Sequence, residues 1–135
     1  MRITGGRAKG IRMVCPGKET RPATDAMREA VFSSIGDLVK GADCLDLFAG
    51  VGSYGLEAFS RGANSVTFVE SDSKTLNTLR TNAREVCCAW EGSSFESLSF
   101  AHADAYKWKS RDRWSLLFVD PPYSELLSWA ETAAD

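Results

Sequence analysis

Two acidic positions in this chain sit where a carboxylate can do chemistry. Asp120, followed by Pro121, Pro122 and Tyr123, comes directly after the apolar run of residues 116–119. Open α/β sheets place reacting groups at the carboxyl ends of their strands. Two successive prolines fix two φ angles and remove two N–H donors. The turn therefore offers only acceptors, beside a flat ring. Such a site suits a planar amine on a nucleobase, which needs acceptors for its protons and a face to stack on. The expected chemistry is methyl transfer to an amino nitrogen.

Asp46 is the second position. It precedes a turn in which Gly50, Gly52 and Gly55 satisfy the dinucleotide spacing GxGxxG, with Glu70 fifteen residues past the last glycine. A dinucleotide would rest its pyrophosphate on the helix N-terminus, close to the Asp46 carboxylate, which is electrostatically poor. S-adenosylmethionine has no phosphate and carries a sulfonium and an ammonium, so an acidic strand end beside a close-approach glycine turn favours it. Glu70 can accept both ribose hydroxyls of either ligand. A nicotinamide-binding domain is the weaker alternative.

These residues require elements to position them. Thr24 or Asp25 can cap a helix on which Met27, Val31, Ile35 and Leu38 recur as an apolar face, closed by Gly41. Residues 44–48 read as a short strand, followed by the glycine turn and a helix to about Arg61, with Gly62 as its C-cap. A second strand, residues 65–69, ends at Glu70. Ser71 to Ser73 then cap a helix with Leu76, Leu79, Ala83 and Val86 on one side. A weaker strand over residues 98–102 leads to Asp104, and residues 114–119 form the fourth, before a helix from Ser124. Strands alternating with helices call for a parallel sheet with helices on both faces. If strand order reverses between the first and fourth strands, one cleft opens above Asp46 and Asp120. The fourth strand would be an uncovered edge, a surface for self-association.

Composition bounds the reading. The 135 residues are 44% hydrophobic, which fits one domain, and no stretch approaches the ~20 apolar residues of a membrane span. The basic start has no apolar signal-peptide middle, so a cytoplasmic protein is expected. Cys15, Cys44, Cys87 and Cys88 show no paired metal-ligand spacing, and His102 is the only histidine, so neither a metal nor a disulfide framework is supported. The net charge of −2 hides an asymmetry: residues 1–22 carry +5 and the rest −7. A basic arm on an acidic body is a plausible contact for a phosphate backbone, with a solvated tail as the plain alternative.

Taken together, DLFAGVGSYGLEAFSRGA, VTFVESD, HADA and FVDPPY, preceded by MRITGGRAKG and TRPATDAMREAVFSSIG, resemble the RsmD-type 16S ribosomal RNA guanine-N2 methyltransferases. The similarity runs from Met1 to about Tyr123. It implies a Rossmann-like class I methyltransferase, an α/β three-layer sandwich with a mostly parallel sheet. Residues 1–22 would be a basic RNA-contacting arm or β-hairpin, and residues 23–135 the S-adenosylmethionine-binding domain. By this resemblance Asp46, Gly50, Gly52 and Ser53 line the donor's methionine end, and Phe48 also belongs to the cofactor site. Glu70 holds the ribose, with Ser71 next to it in the cofactor site, and Asp104 and Ala105 flank the adenine. Asp120, shared with the donor pocket, would receive the target base with Pro121, Pro122 and Tyr123. Arg2, Arg7, Lys9, Arg12 and Arg21 would face ribosomal RNA or a small-subunit assembly particle. Members of the family continue well beyond the DPPY segment, so the last strands of the sheet are expected to be missing here. Two other functions stay open: adenine-N6 methylation of DNA, and an RNA-binding assembly factor that keeps the donor pocket without turnover.

Overall fold

The computed structural model describes residues 1–16 and 24–121. Arg21, Pro122, Tyr123 and the helix expected from Ser124 lie outside the described residues. Four strands, β1 (Asp43–Leu47), β2 (Ser65–Glu70), β3 (Leu98–His102) and β4 (Leu116–Val119), form one parallel sheet in the order β3-β2-β1-β4. The chain steps outward from β1 to β3, then returns to the other side of β1. Strand order therefore reverses between β1 and β4, which meets the condition for Asp46 and Asp120 to stand at neighbouring strand ends.

Side chains alternate across this sheet. One face presents Cys44, Val66, Phe68, Leu98 and Phe118 to the main core. Three helices cover that face in a row: α1 (Asp25–Ile35), α2 (Ser53–Ser60) and α3 (Ser73–Cys87). Phe68 and Phe100 stack at 5.3 Å, and Phe32 of α1 meets Phe118 at 5.6 Å. The opposite face buries Leu45 and Val69 but leaves Leu117 56% exposed. A second helical layer is absent among the described residues. On its outer side β4 has no strand partner among them.

In α3 the expected stripe of Leu76, Leu79, Ala83 and Val86 is buried, and Asp72 caps the helix by accepting the Thr75 N–H at 2.9 Å. The apolar face expected on α1 is half right: Val31 and Ile35 pack against the core, whereas Met27 and Leu38 do not. Met27 is 55% and Leu38 73% exposed, and the residues that α1 buries are Arg28 and Phe32. The helix also ends earlier than Gly41, at Ile35, with Gly36 as its cap. A 3₁₀ turn over Gly36–Val39 then shifts Leu38 off the helical period.

The reason Arg28 is inside is Glu57. Residues Gly55–Ser60 of α2 are all buried, so a carboxylate at position 57 must find partners there. Its oxygens accept from Arg28 Nε at 3.3 Å, Arg61 Nε at 2.9 Å, and the Thr4 and Gly5 amides at 3.0 Å each. Arg28 also donates to the Arg2 carbonyl and to Asp25 at 2.7 Å. Removing one partner of a buried pair strands the other's charge, so Glu57→Ala should cost ~3–5 kcal/mol in chemical denaturation. A loss below 1 kcal/mol, roughly that of a surface pair, would refute this role.

The same node ties down the basic N-terminus, which is a hairpin rather than a solvated tail. Arg2 and Arg12 form an antiparallel bridge, with Ile3 N–H to Ile11 O at 3.0 Å and Met13 N–H to Met1 O at 2.8 Å. Ile3, Ala8 and Met13 are buried in the main core. Asn82 of α3 clamps Val14 from both sides, donating to its carbonyl and accepting from its amide. Gly6, at φ +80°, lies against the Ser60 carbonyl, where a Cβ would come within 2.0 Å.

Candidate active site at the carboxyl ends of β1 and β4

Asp46 pairs in register with Phe118, which places Asp120 just beyond it at the tip of the neighbouring strand. The register puts the two carboxylates at adjacent strand ends, and the charge of Asp120 adds to what acts on Asp46. Asp46 is 2% exposed and accepts the Gly55 N–H at 3.0 Å. Burial, reinforced by Asp120 and Glu70, pushes its carboxyl up to about 8 from an ordinary 3.8. A carboxyl held in this way is short of positive charge, and an incoming cation would restore its ionised form. Asp120 itself is exposed at the rim, and partial desolvation raises its carboxyl as well.

The glycine turn explains the close approach. Gly55 has to lack a side chain, because a Cβ would lie 2.3 Å from Phe68 and 2.9 Å from Asp46 Oδ2. Gly52, at φ +97°, points its missing Cβ into Leu79 and Leu56, so it serves helix packing. Gly50, at φ +57°, has nothing within 4 Å of that position and borders open space. A paired test follows. Gly52→Ala should destabilise the fold by at least ~2 kcal/mol through strain and overpacking. Gly50→Ala should cost less stability and weaken ligand binding instead. Equal losses of stability by thermal unfolding would contradict this division.

Glu70 spans the turns that follow β1 and β2. Its Oε1 accepts from Gly50 N–H and its Oε2 from Asp72 N–H, both at 2.9 Å. A carboxylate has about four lone-pair sites, so each oxygen retains capacity for a hydroxyl. Ser71 offers its carbonyl to His102 Nε2 at 2.9 Å, joining the ends of β2 and β3. Asp104 accepts the Tyr106 N–H at 2.9 Å, turning the chain after β3 so that Tyr106 meets Phe48 edge-on at 5.2 Å. Phe48 has φ +57°, a costly conformation for an aromatic residue and a mark of functional sites. Asp46, Phe48, Gly50, Glu70, Ser71, Asp104 and Ala105 are thus gathered around the carboxyl ends of β1, β2 and β3, with Ser53 buried at the start of α2.

Tyr54 stands beside Asp46 and Asp120, a placement that sequence reasoning missed. Its ring stacks on Phe118 at 5.7 Å with a 14° tilt, and the charges of Asp120 and Asp46 help raise its hydroxyl's pKa after burial. Its place directly after Ser53, in the first turn of α2, was the available signal. Trp108 and Trp114 pack on each other at 5.7 Å. No group of three or more metal-ligating side chains occurs among the described residues, and no helix there is long and apolar enough to cross a membrane.

Residues 1–134 match the family described as Conserved hypothetical protein 95. The Ribosomal RNA small subunit methyltransferase D of Escherichia coli is 36% identical over 91% of this chain and 60% of its own length. The Bacillus subtilis protein YlbH is 35% identical over 93% of this chain and 68% of its own. A solved structure of a hypothetical protein from Thermus thermphillus superposes with a TM-score of 0.78 at 27% identity, covering 99% of this chain and 77% of that one. The chain thus spans about two thirds of the length of these relatives. It belongs to the Conserved hypothetical protein 95 family, that of the ribosomal RNA small subunit methyltransferase D proteins.

Proposed function

We propose that the chain is the donor-binding part of an S-adenosylmethionine-dependent RNA methyltransferase acting on the exocyclic N2 of a guanine in small-subunit ribosomal RNA. The observation that carries this reading is the pair Asp46 and Asp120 at adjacent strand tips, one buried and in need of a cation, the other at the rim. The E. coli relative's name, Ribosomal RNA small subunit methyltransferase D, supports the choice of substrate.

The residues present fit the donor. When bound, S-adenosylmethionine supplies an electrophilic methyl group on a sulfonium. Asp46 would meet its ammonium, Gly50 would allow close approach, Glu70 would take ribose hydroxyls, and Phe48 with Asp104 and Ala105 would border the adenine. Asp120 and the Pro121 carbonyl would accept the two protons of the target amine, holding its lone pair in line. Those hydrogen bonds strengthen as positive charge develops on nitrogen, which is the differential stabilisation catalysis needs. As the N–C bond forms and the C–S bond breaks, one N–H proton leaves, to Asp120 or to water. Tyr123 and Pro122 complete the base pocket in this reading.

Arg2, Arg7, Lys9 and Arg12 are all exposed on the hairpin, and Arg2 lies directly across from Arg12. Like charges facing each other across a bridge are unfavourable unless an anion sits between them. An RNA phosphate would relieve this. Replacing both by alanine should lower the slope of log affinity against log salt by about 1.4 for single-stranded RNA. An unchanged slope would remove the hairpin from the RNA interface. The function itself is tested by transfer of labelled methyl to unmodified small-subunit ribosomal RNA and to assembly particles. Incorporation is expected, whereas donor binding without incorporation into either would favour the non-catalytic alternative.

A further inference from the structure

A cavity of about 340 Å³ lies at the opposite end of the sheet from the two carboxylates. It is lined by Gly41, Asn64 and Ser97, which stand just ahead of β1, β2 and β3. Its volume is within the ~300–1,000 Å³ of small-ligand pockets. Trp90, half-buried and tilted against Phe59 at 5.5 Å, forms an aromatic wall. Among the described residues, Arg7 is the only charged one that lines it. The nearby Asp43 carboxylate is occupied by Asn64 Nδ2 at 2.8 Å and Ser65 Oγ at 2.7 Å. The hairpin fixes Arg7 there through its N–H to the Ser60 carbonyl at 2.8 Å.

We propose that this cavity is a second RNA-binding site, holding one unpaired nucleotide of the substrate with its base against Trp90 and its phosphate on Arg7. The inference rests on the RNA-methyltransferase reading and adds a contact that the catalytic cleft does not require. An aromatic face, a cation and surrounding hydroxyl and amide groups are the combination that recognises a splayed single-stranded nucleotide. Arg7 belongs to the basic hairpin that also carries Arg2, Lys9 and Arg12, so the pocket borders the cationic part of the chain.

Ser94 gives a test that spares the fold. Its hydroxyl accepts the Glu96 N–H at 3.2 Å as a cap, a role aspartate fills equally well, so Ser94→Asp adds a negative charge to the cavity and keeps the turn. The full chain is bound to a fragment of small-subunit ribosomal RNA substituted with 4-thiouridine, photo-crosslinked and mapped by mass spectrometry. Dissociation constants are measured in parallel. Crosslinks within residues 90–97 are expected. Ser94→Asp and Trp90→Ala should weaken binding roughly five- to a hundred-fold, and Trp90→Phe should restore it to within about threefold. If the wild-type chain binds RNA with no crosslink there, and Ser94→Asp binds as tightly, the second site is refuted and the proposed function stands. If the wild-type chain binds no ribosomal RNA at all, the RNA reading fails and the site falls with it.

Discussion

Asp120→Ala should lower the rate of methyl transfer by ~10²–10³-fold, the usual loss when one preorganised partner of a charge-developing atom is removed. Donor affinity should change far less, because the buried carboxylate beside the glycine turn is Asp46. Single-turnover transfer, with donor binding measured separately by calorimetry, distinguishes the two effects. Undiminished transfer would show that Asp120 does not hold the reacting amine. A parallel collapse of donor affinity would instead assign Asp120 to the donor pocket. The rim position of Asp120, exposed and next to Pro121, is what a group meeting a large substrate requires.

The second large effect is expected at Asp46. With its carboxyl pushed up to about 8, the folded protein keeps a proton that the unfolded chain loses near 3.8. Stability of the ligand-free protein therefore falls as pH rises through that window, because the folded state binds the extra proton. Asp46→Asn retains an acceptor for the Gly55 N–H and removes the ionisation. It should raise the melting temperature at about pH 7.5 by at least ~3 °C. The same change should weaken the donor by ~10–100-fold, the value of a charge-assisted contact. In the unmodified protein, donor affinity should rise between about pH 6 and pH 7.5 as Asp46 ionises against the incoming ammonium, and the variant should lose that rise. A variant that is less stable at neutral pH, or binds the donor normally, would contradict the assignment.

What the sequence revealed and what it hid follow the range of the interactions. Asp46, the glycine turn and Glu70 were legible because a strand end, a tight turn and a helix start are set by neighbouring residues. The parallel sheet was legible from the alternation of elements, whereas the reversal between β1 and β4 was only a condition that the strand order then met. The buried face of α1 was legible only in part: Val31 and Ile35 pack on the core as expected, but Arg28 is drawn inside by Glu57, 29 positions away, while Met27 and Leu38 stay exposed. A clue existed in the apolar run around Glu57, which asks for a counter-charge from somewhere in the chain. The place of Tyr54 was not legible for a similar reason, since Phe118 on a distant strand decides where its ring lies. The left-handed backbone of Phe48 had no local signature, because nothing in that residue type favours φ +57°. The hairpin was half legible. Its charges and glycines stood out, whereas its seating depends on Ser60, Glu57 and Asn82.

The most direct test is to identify the modified nucleoside by mass spectrometry after incubating the protein with S-adenosylmethionine and unmodified small-subunit ribosomal RNA or its assembly intermediates. The proposed function predicts N2-methylguanosine at a single position, abolished by Asp120→Ala. N6-methyladenine as the product, or no methylated nucleoside from any ribosomal substrate despite donor binding, would contradict the account.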